Sequence, residues 1–187
     1  MAIAAPAVPL IIEGIKDALI ILGVLSGGAV VADQVDKANK RAKEGLSDAA
    51  PATVCQTCRS GPCATLAGGV PGAKYQGGAH GLMKLPPGDG LDSHHMPSAD
   101  ASYLPREIGP AIKMDPADHL RTASHGSSRA AAAYRLAQKR LIDAGNFTGA
   151  FAMDVADIRS KLGNKYDGAI AQAGAYMQCL KQNGIVR

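Results

Sequence analysis

Two adjacent histidines, His94 and His95, are followed by a third, His119, and together they form the pattern in this sequence best suited to chemistry. Neighbouring residues of an extended strand point to opposite faces. One imidazole of the pair can therefore bind a metal ion while the other faces a substrate, and a later histidine at the start of a helix can return to the same metal. The pattern predicts a hairpin followed by a helix, gripping one divalent ion.

The chemistry that suits this arrangement is the hydrolysis of a phosphodiester. That reaction needs a base that is neutral near pH 7 to activate water, and a cation to stabilise the charge and the leaving oxygen. The sequence predicts His95 as the base, with a divalent metal (Mg, Mn or Zn) held by His94 and His119. An adjacent histidine pair also occurs by chance in proteins. Here the Gly/Pro-rich segment around the pair and the third histidine favour its interpretation as a functional site.

A second cluster of candidate ligands is formed by Cys55, Cys58 and Cys63, which give the spacing C-x2-C-x4-C. Two thiolates two residues apart can share one tetrahedral zinc, and His80 or Cys179 could complete the set only through the fold. A disulfide, formed outside a reducing cytosol, and free buried thiols are the alternatives. The spacing leaves structural zinc and a disulfide both open.

The amino-acid composition of the chain excludes some classes of function. The chain has 187 residues, 47% of them hydrophobic and 19% charged, which excludes a fully disordered protein. Aromatic residues are only 4%, with no Trp, so a platform of rings for single-stranded bases is not expected. The net charge of +4 is a mild bias toward anionic partners.

The chain divides into an apolar helical N-terminal segment with a linker, residues 1–50, and a second region, residues 51–187. The uncharged run 18–32 is shorter than the roughly 18 residues of a confident membrane-spanning helix. No Lys or Arg precedes the first apolar stretch, so no cleavable signal peptide is expected. The segment is interpreted either as membrane-inserting or chaperone-bound, or as a pair of buried helices.

Secondary structure is sparse before residue 110 and regular after it. Residues 51–110 show no persistent period, whereas 109–114 (GPAIKM) predict a short strand. Asp115 and Pro116 predict the start of a helix. Three more helices are expected at 129–144, 148–162 and 165–182. Basic residues on the first of these could line a phosphate track or could form an ordinary solvated face; they are Arg129, Arg135, Lys139 and Arg140.

The stretches DSHHMPS and GPAIKMDPADHLRTASHGSS resemble the SHH-type toxin nucleases of the HNH/endonuclease VII superfamily. These are C-terminal nuclease domains of bacterial polymorphic toxins and secretion-system effectors. The upstream stretch GGAHGLMK also resembles such proteins. The resemblance covers roughly residues 55–128. It implies an α+β protein with a small ββα-metal, treble-clef-like nuclease core at about 90–128, in a loop-rich region flanked by N- and C-terminal helices.

The resemblance also implies roles for single residues. His94 and His119 would be metal ligands and His95 the general base. Asp118 would be a ligand or a partner that orients an imidazole. Four further residues would pack around the site, support its helix or touch a phosphate: His80, Thr122, Ser124 and His125.

The sequence departs from the pattern of this superfamily in two places. No Asn lies between His95 and His119, so another group, such as a backbone carbonyl, must orient His95. Ala123 stands where a second helical histidine would be expected, four residues after His119. His125 is six residues on, which would place it well round a continuous helix.

The expected function is that of a metal-dependent, nonspecific DNase acting as an antibacterial toxin. Its partners would be DNA, a cognate and acidic immunity protein, and a secretion-system adaptor or chaperone bound by the apolar N-terminus. It would lie in the producer cytoplasm before secretion and be delivered to the cytoplasm of the target cell. An RNase on the same scaffold, a noncatalytic metal-stabilised binding module and a membrane-active toxin using residues 18–32 are the alternatives.

Overall fold

The computed structural model of this chain describes residues 55–187. The apolar segment 1–50, including the run 18–32, lies outside the described residues, and the boundary at residue 51 stays a prediction. None of the helices within 55–187 has the length and apolar character needed to cross a bilayer.

The described part is an α+β structure, as expected, with a small sheet and mostly short helices before three long ones. In chain order the elements are α1 (Gln56–Ser60), α2 (Ala64–Ala67), β1 (Gly77–Ala79), α3 (His80–Met83), β2 (Asp92–His95), a 3-10 turn (Arg106–Ile108), β3 (Pro110–Met114), α4 (Pro116–His119), α5 (Arg129–Asp143), α6 (Phe147–Leu162) and α7 (Asp167–Gln182).

The three strands form an antiparallel sheet in the order β1-β3-β2. The register places His94 opposite Ile112 and His95 opposite Ala111. Strand β3 is central and all five of its residues are buried, which explains its nearly continuous apolar sequence. Strand β2, which carries the histidine pair, is left at one edge of the sheet.

Gly77 and Gly78, the first two residues of β1, allow helices α2 and α7 to approach the backbone of the sheet. A Cβ on Gly77 would lie 1.9 Å from the carbonyl oxygen of Ala169 in α7. A Cβ on Gly78 would lie 2.1 Å from the carbonyl oxygen of Ala67 in α2. Because real Cβ atoms do not approach that closely, the contacts of this edge strand with α2 and α7 require glycine at both positions.

Each of the three long C-terminal helices begins and ends within two residues of the position predicted from the sequence. The hydroxyl of Ser128 caps α5 by accepting a hydrogen bond from the Ala131 amide at 3.1 Å. Gly145 follows α5 with a φ of +76°, a conformation that favours glycine. The side chain of Asn146 caps α6 by accepting from the Gly149 amide at 2.8 Å. The three helices contribute most of the core, including Phe147, Phe151, Ile158 and Tyr176.

Two disulfides fasten the region that showed no regular period in the sequence. Cys55 is bonded to Cys58, and Cys63 is bonded to Cys179 of α7. The structure therefore shows the disulfide alternative, and no thiol within 55–187 is left to bind structural zinc. Helix α1 contains Cys58 and helix α2 follows Cys63, in a region where the sequence showed no persistent helical period.

Candidate functional site

Strand β2 divides its polar residues between two faces, as the alternation of an extended chain requires. Asp92 and His94 contact α4 and the turn after it, whereas Ser93 and His95 contact α3. The prediction that the two adjacent histidines point to opposite faces is confirmed. We call these groups the α4-facing cluster, which comprises Asp92, His94, His119 and His125, and the α3-facing cluster, which comprises His80, Ser93 and His95.

The α4-facing cluster brings three imidazoles together. The ring centroids of His94 and His119 are 5.2 Å apart, and those of His119 and His125 are 4.8 Å apart. Nδ1 of His119 donates a hydrogen bond of 2.9 Å to the Asp92 carboxylate. This bond leaves the lone pair of His119 on Nε2.

His94 carries the most unusual atom of the site. Its side chain is 3% exposed, and Nε2 is buried without a hydrogen-bond partner. Burial, together with a smaller effect of the neighbouring imidazoles, lowers the pKa of His94 to about 3. The ring is therefore neutral at physiological pH. A buried polar atom left unpaired costs about 1–3 kcal/mol, so it calls for a reason such as a bound ion.

The donor chemistry of the α4-facing cluster fits a divalent metal. Neutral imidazole nitrogens suit Zn and related ions, and a ligating histidine usually donates its other N–H to a carboxylate, as His119 does to Asp92. Two imidazoles that share a tetrahedral ion have ring centroids about 5 Å apart. Within residues 55–187, however, no group of three or more His, Cys, Asp or Glu side chains is arranged to hold a metal ion as it stands.

The α3-facing cluster holds the predicted base. His95 is 8% exposed, and its Nε2–H donates to the carbonyl oxygen of Arg106 at 3.0 Å. A backbone carbonyl thus orients this ring, as the absence of Asn in the sequence led us to expect. The hydrogen bond leaves the lone pair on Nδ1. Burial lowers the pKa of His95, and the bond to Arg106 partly opposes that shift.

His80 covers the other side of the predicted base. Its ring stacks on that of His95, with centroids 3.9 Å apart. Nδ1 of His80 lies 2.9 Å from the hydroxyl of Ser93, within hydrogen-bonding distance. Burial, together with a smaller effect of the neighbouring His95, lowers the pKa of His80 to about 4. His80 therefore packs as a neutral ring, in keeping with the structural role expected for it.

The carboxylate of Asp118 contacts other residues than the imidazoles. One oxygen accepts hydrogen bonds from the Tyr166 hydroxyl and from Lys165 Nζ, at 2.7 and 2.5 Å. The other lies 3.3 Å from a guanidinium nitrogen of Arg121. The carboxylate that contacts an imidazole is that of Asp92, which sequence reasoning left out of the site. Its position two residues before His94, and thus on the same face of β2, was the available signal.

The turn after α4 differs from the helix that the spacing predicted. Helix α4 ends at His119, so His125 does not lie round a continuous helix; a turn returns its ring to that of His119. The Thr122 hydroxyl donates to the carbonyl of His119 at 2.8 Å and so supports the end of α4. Ser124 is nearly buried, and its carbonyl accepts from Arg135 at 2.7 Å.

The basic residues of α5 have separate environments. Arg135 is half-buried and donates to the carbonyls of Ser124 and Gly126 at 2.7 and 2.8 Å, so it holds the turn that carries His125. Lys139 pairs with Asp143 at 2.8 Å on an exposed face. Arg129 and Arg140 are exposed as well. Arg135 is thus engaged with backbone, and a phosphate track on α5 would depend on the other three.

No protein-family model, no curated protein and no solved structure matches this chain. The functional argument therefore depends on the two histidine clusters and on the motifs that surround them.

Proposed function

We propose that this chain is a metal-dependent, nonspecific endonuclease that cuts DNA and acts as an antibacterial toxin or secretion-system effector. In this proposal it is an SHH-type relative of the HNH/endonuclease VII nucleases, with β2, β3 and α4 as its ββα-metal core. The observation that carries the proposal is the buried, unpaired Nε2 of His94 beside His119, whose opposite nitrogen is held by Asp92.

His94 and His119 would hold the metal, with Asp92 fixing the ring of His119 and His125 close enough to add a third nitrogen. The ion, when bound, would stabilise negative charge on the phosphate and on the leaving oxygen. Neutral imidazoles bind cations without first losing a proton, and burial keeps His94 neutral.

His95 would act as the general base. Its lowered pKa keeps it neutral at pH 7, so Nδ1 can take a proton from water. The Arg106 carbonyl then stabilises the protonated ring through the Nε2–H hydrogen bond. Because β2 is an edge strand, a phosphodiester that lies along this edge can reach the residues of both faces.

The partners proposed for the chain follow from the same activity. Exposed cations on α5, at Arg129, Lys139 and Arg140, suit the backbone of DNA without reading its sequence. A producing cell would need an immunity protein, whose acidic surface would complement the basic one. The chain would be delivered to the cytoplasm of the target cell. An adaptor or chaperone would bind its apolar segment 1–50.

Cleavage of supercoiled plasmid by the purified chain tests this function. The assay compares Mg, Mn and Zn with EDTA, each with and without dithiothreitol, and includes total RNA as a second substrate. We expect metal-dependent cutting of plasmid that His95→Ala reduces by about 10²–10⁴-fold, the usual contribution of a general base. His94→Ala should in addition weaken binding of the metal, measured by titration calorimetry. Gln182→Ala, at an exposed position at the end of α7, is the control.

Three other outcomes would overturn the proposal in part or in whole. Cutting of RNA alone would make the chain an RNase on the same scaffold. Metal binding without cutting, together with unfolding on metal removal, would indicate a noncatalytic metal-stabilised module. Full activity of the His95→Ala variant would remove the base assigned here while leaving the metal site open to test.

A further inference from the structure

We propose that the Cys55–Cys58 disulfide is a redox switch that controls access to His95. The inference rests on the proposed function, since it concerns the residue assigned there as the base. It is carried by contacts of this disulfide with both of the elements that cover the His95 ring.

The first contact reaches the 3-10 turn that holds His95. Sγ of Cys58 lies 3.2 Å from the carbonyl oxygen of Glu107. The neighbouring carbonyl, that of Arg106, accepts the hydrogen bond from His95 Nε2. A disulfide sulfur carries no proton, so this contact becomes an S–H···O hydrogen bond only when Cys58 is a thiol. The redox state of Cys58 therefore changes the environment of the residue next to Arg106.

The second contact reaches the helix that stacks on His95. A Cβ on Gly81 would lie 2.7 Å from the Cβ of Cys55 and 2.9 Å from its Sγ, so the disulfide packs directly on α3. Gly81 follows His80, whose ring lies against that of His95. The Glu107 carboxylate, which pairs with Lys84 at 2.8 Å, joins the end of α3 to the 3-10 turn. The disulfide thus packs against both of the elements that cover His95.

This coverage leaves the proposed base little contact with water. His95 is 8% exposed, its Nε2 is bonded to Arg106 and one ring face is occupied by His80. A general base must be reached by the water that it activates. Opening the disulfide lets the Cys55 side chain move away from Gly81 of α3 and lets the Cys58 thiol donate to the Glu107 carbonyl. Both elements that cover the His95 ring can then shift, and the ring becomes accessible.

The two disulfides differ in how much stability the fold would lose on their reduction. Cys55 and Cys58 are only three residues apart, so their bond removes little entropy from the unfolded chain. Cys63 and Cys179 are 116 residues apart, so their bond stabilises the fold far more in the same treatment. Reduction of the short-range pair can therefore act on the site without unfolding the domain.

The reductant is a thiol such as glutathione, which reducing cytosols supply. A thiolate attacks Sγ of Cys55, which is partly exposed, and forms a mixed disulfide while Cys58 leaves and takes up a proton. A second thiol then releases Cys55 as a thiol and yields the oxidised reductant. Two electrons and two protons pass to the protein in all. The base is covered in an oxidising compartment and uncovered in a reducing one.

Carbethoxylation of histidines by diethyl pyrocarbonate tests the inference without depending on nuclease activity. The rate at His95 is followed by tandem mass spectrometry in the oxidised wild-type chain and in the Cys55→Ser/Cys58→Ser variant, which cannot form the bond. We expect modification of His95 to become severalfold faster in the variant. His94, on the opposite face of β2, is the internal reference and should react at the same slow rate in both. Circular dichroism confirms that the variant is folded.

A second comparison serves if the double variant does not fold. Wild-type chain is titrated with dithiothreitol, its free thiols are alkylated, and His95 reactivity is measured in the fraction with Cys55–Cys58 open and Cys63–Cys179 closed. An unchanged rate at His95 in either comparison overturns the switch. A faster rate at His95 without cleavage of any nucleic acid would uphold the switch and refute the proposed nuclease.

Discussion

Asp92 and His119 are joined by a hydrogen bond of 2.9 Å that links the edge strand β2 to helix α4. A carboxylate accepts but does not donate when ionised, so the bond fixes the proton of His119 on Nδ1. The free Nε2 belongs to the same ring that lies against the buried ring of His94. An imidazole held in this way is oriented and made more basic toward a metal ion.

Replacing Asp92 by Asn is expected to weaken metal binding by about 10–100-fold, which is the usual effect of removing such an outer partner. The amide keeps the size of the side chain but loses the charge that supports the His119 ring. Plasmid cleavage at limiting metal should fall in proportion. Titration calorimetry with the chosen metal measures the affinity, and Gln182→Ala is the control. An affinity equal to that of the wild type would show that Asp92 has no part in the site.

Local features of the sequence predicted the placement of the histidine pair and the long helices. The alternation of a strand separates His94 from His95, and the helix expected at 129–144 is found as α5. These features depend on neighbouring residues alone. The strand predicted at 109–114 is found at Pro110–Met114, and the helix start predicted at Asp115 and Pro116 is found as well, for the same reason.

Long-range contacts decided what the sequence could not predict. The carboxylate of Asp118 faces Lys165 and Tyr166, which lie 47 and 48 residues further along the chain. The partner of Cys63 is 116 residues away, and no spacing rule selects it. Helix α4 ends at His119, where the Thr122 hydroxyl bonds back to the chain, so the expected position of His125 was wrong.

The glycine pair of β1 provides a test of the packing that supports the site. Gly78→Ala places a Cβ within 2.1 Å of the Ala67 carbonyl oxygen, and this backbone atom belongs to α2 and cannot simply rotate away. We expect a loss of about 1–3 kcal/mol in the free energy of unfolding, which is typical of overpacking. Urea denaturation measures it. Gly168→Ala, in α7 with no atom near the new Cβ, is the control and should be neutral or slightly stabilising.

A buried carboxyl between α5 and α6 predicts an unusual dependence of stability on pH. Asp154 is 2% exposed, and burial raises its pKa to about 8, although hydrogen bonds from Gln138 and Tyr134 oppose the shift. Because the folded pKa lies above the unfolded value near 4, its contribution to stability is full below pH 4 and is lost as the pH rises to 8. The contribution stays low above that range.

The Asp154→Asn variant removes this titration while keeping a similar shape. The difference in urea midpoint between the variant and the wild type should move in favour of the variant as the pH rises from 4 to 8. Comparing the two chains cancels the titration of the other carboxyls that they share. A difference that is constant over this range would mean that Asp154 titrates normally in the folded protein.

The long-range disulfide should be the larger contributor to stability of the two. Cys63 and Cys179 join the segment before β1 to helix α7, and their bond closes a loop of 116 residues. Chain-entropy arguments give a bond of this span about 4–5 kcal/mol, against little for the three-residue separation of Cys55 and Cys58. Urea unfolding of Cys63→Ser/Cys179→Ser and of Cys55→Ser/Cys58→Ser measures both. Equal losses in the two variants would contradict the division of roles, in which one bond stabilises the fold and the other controls access to His95.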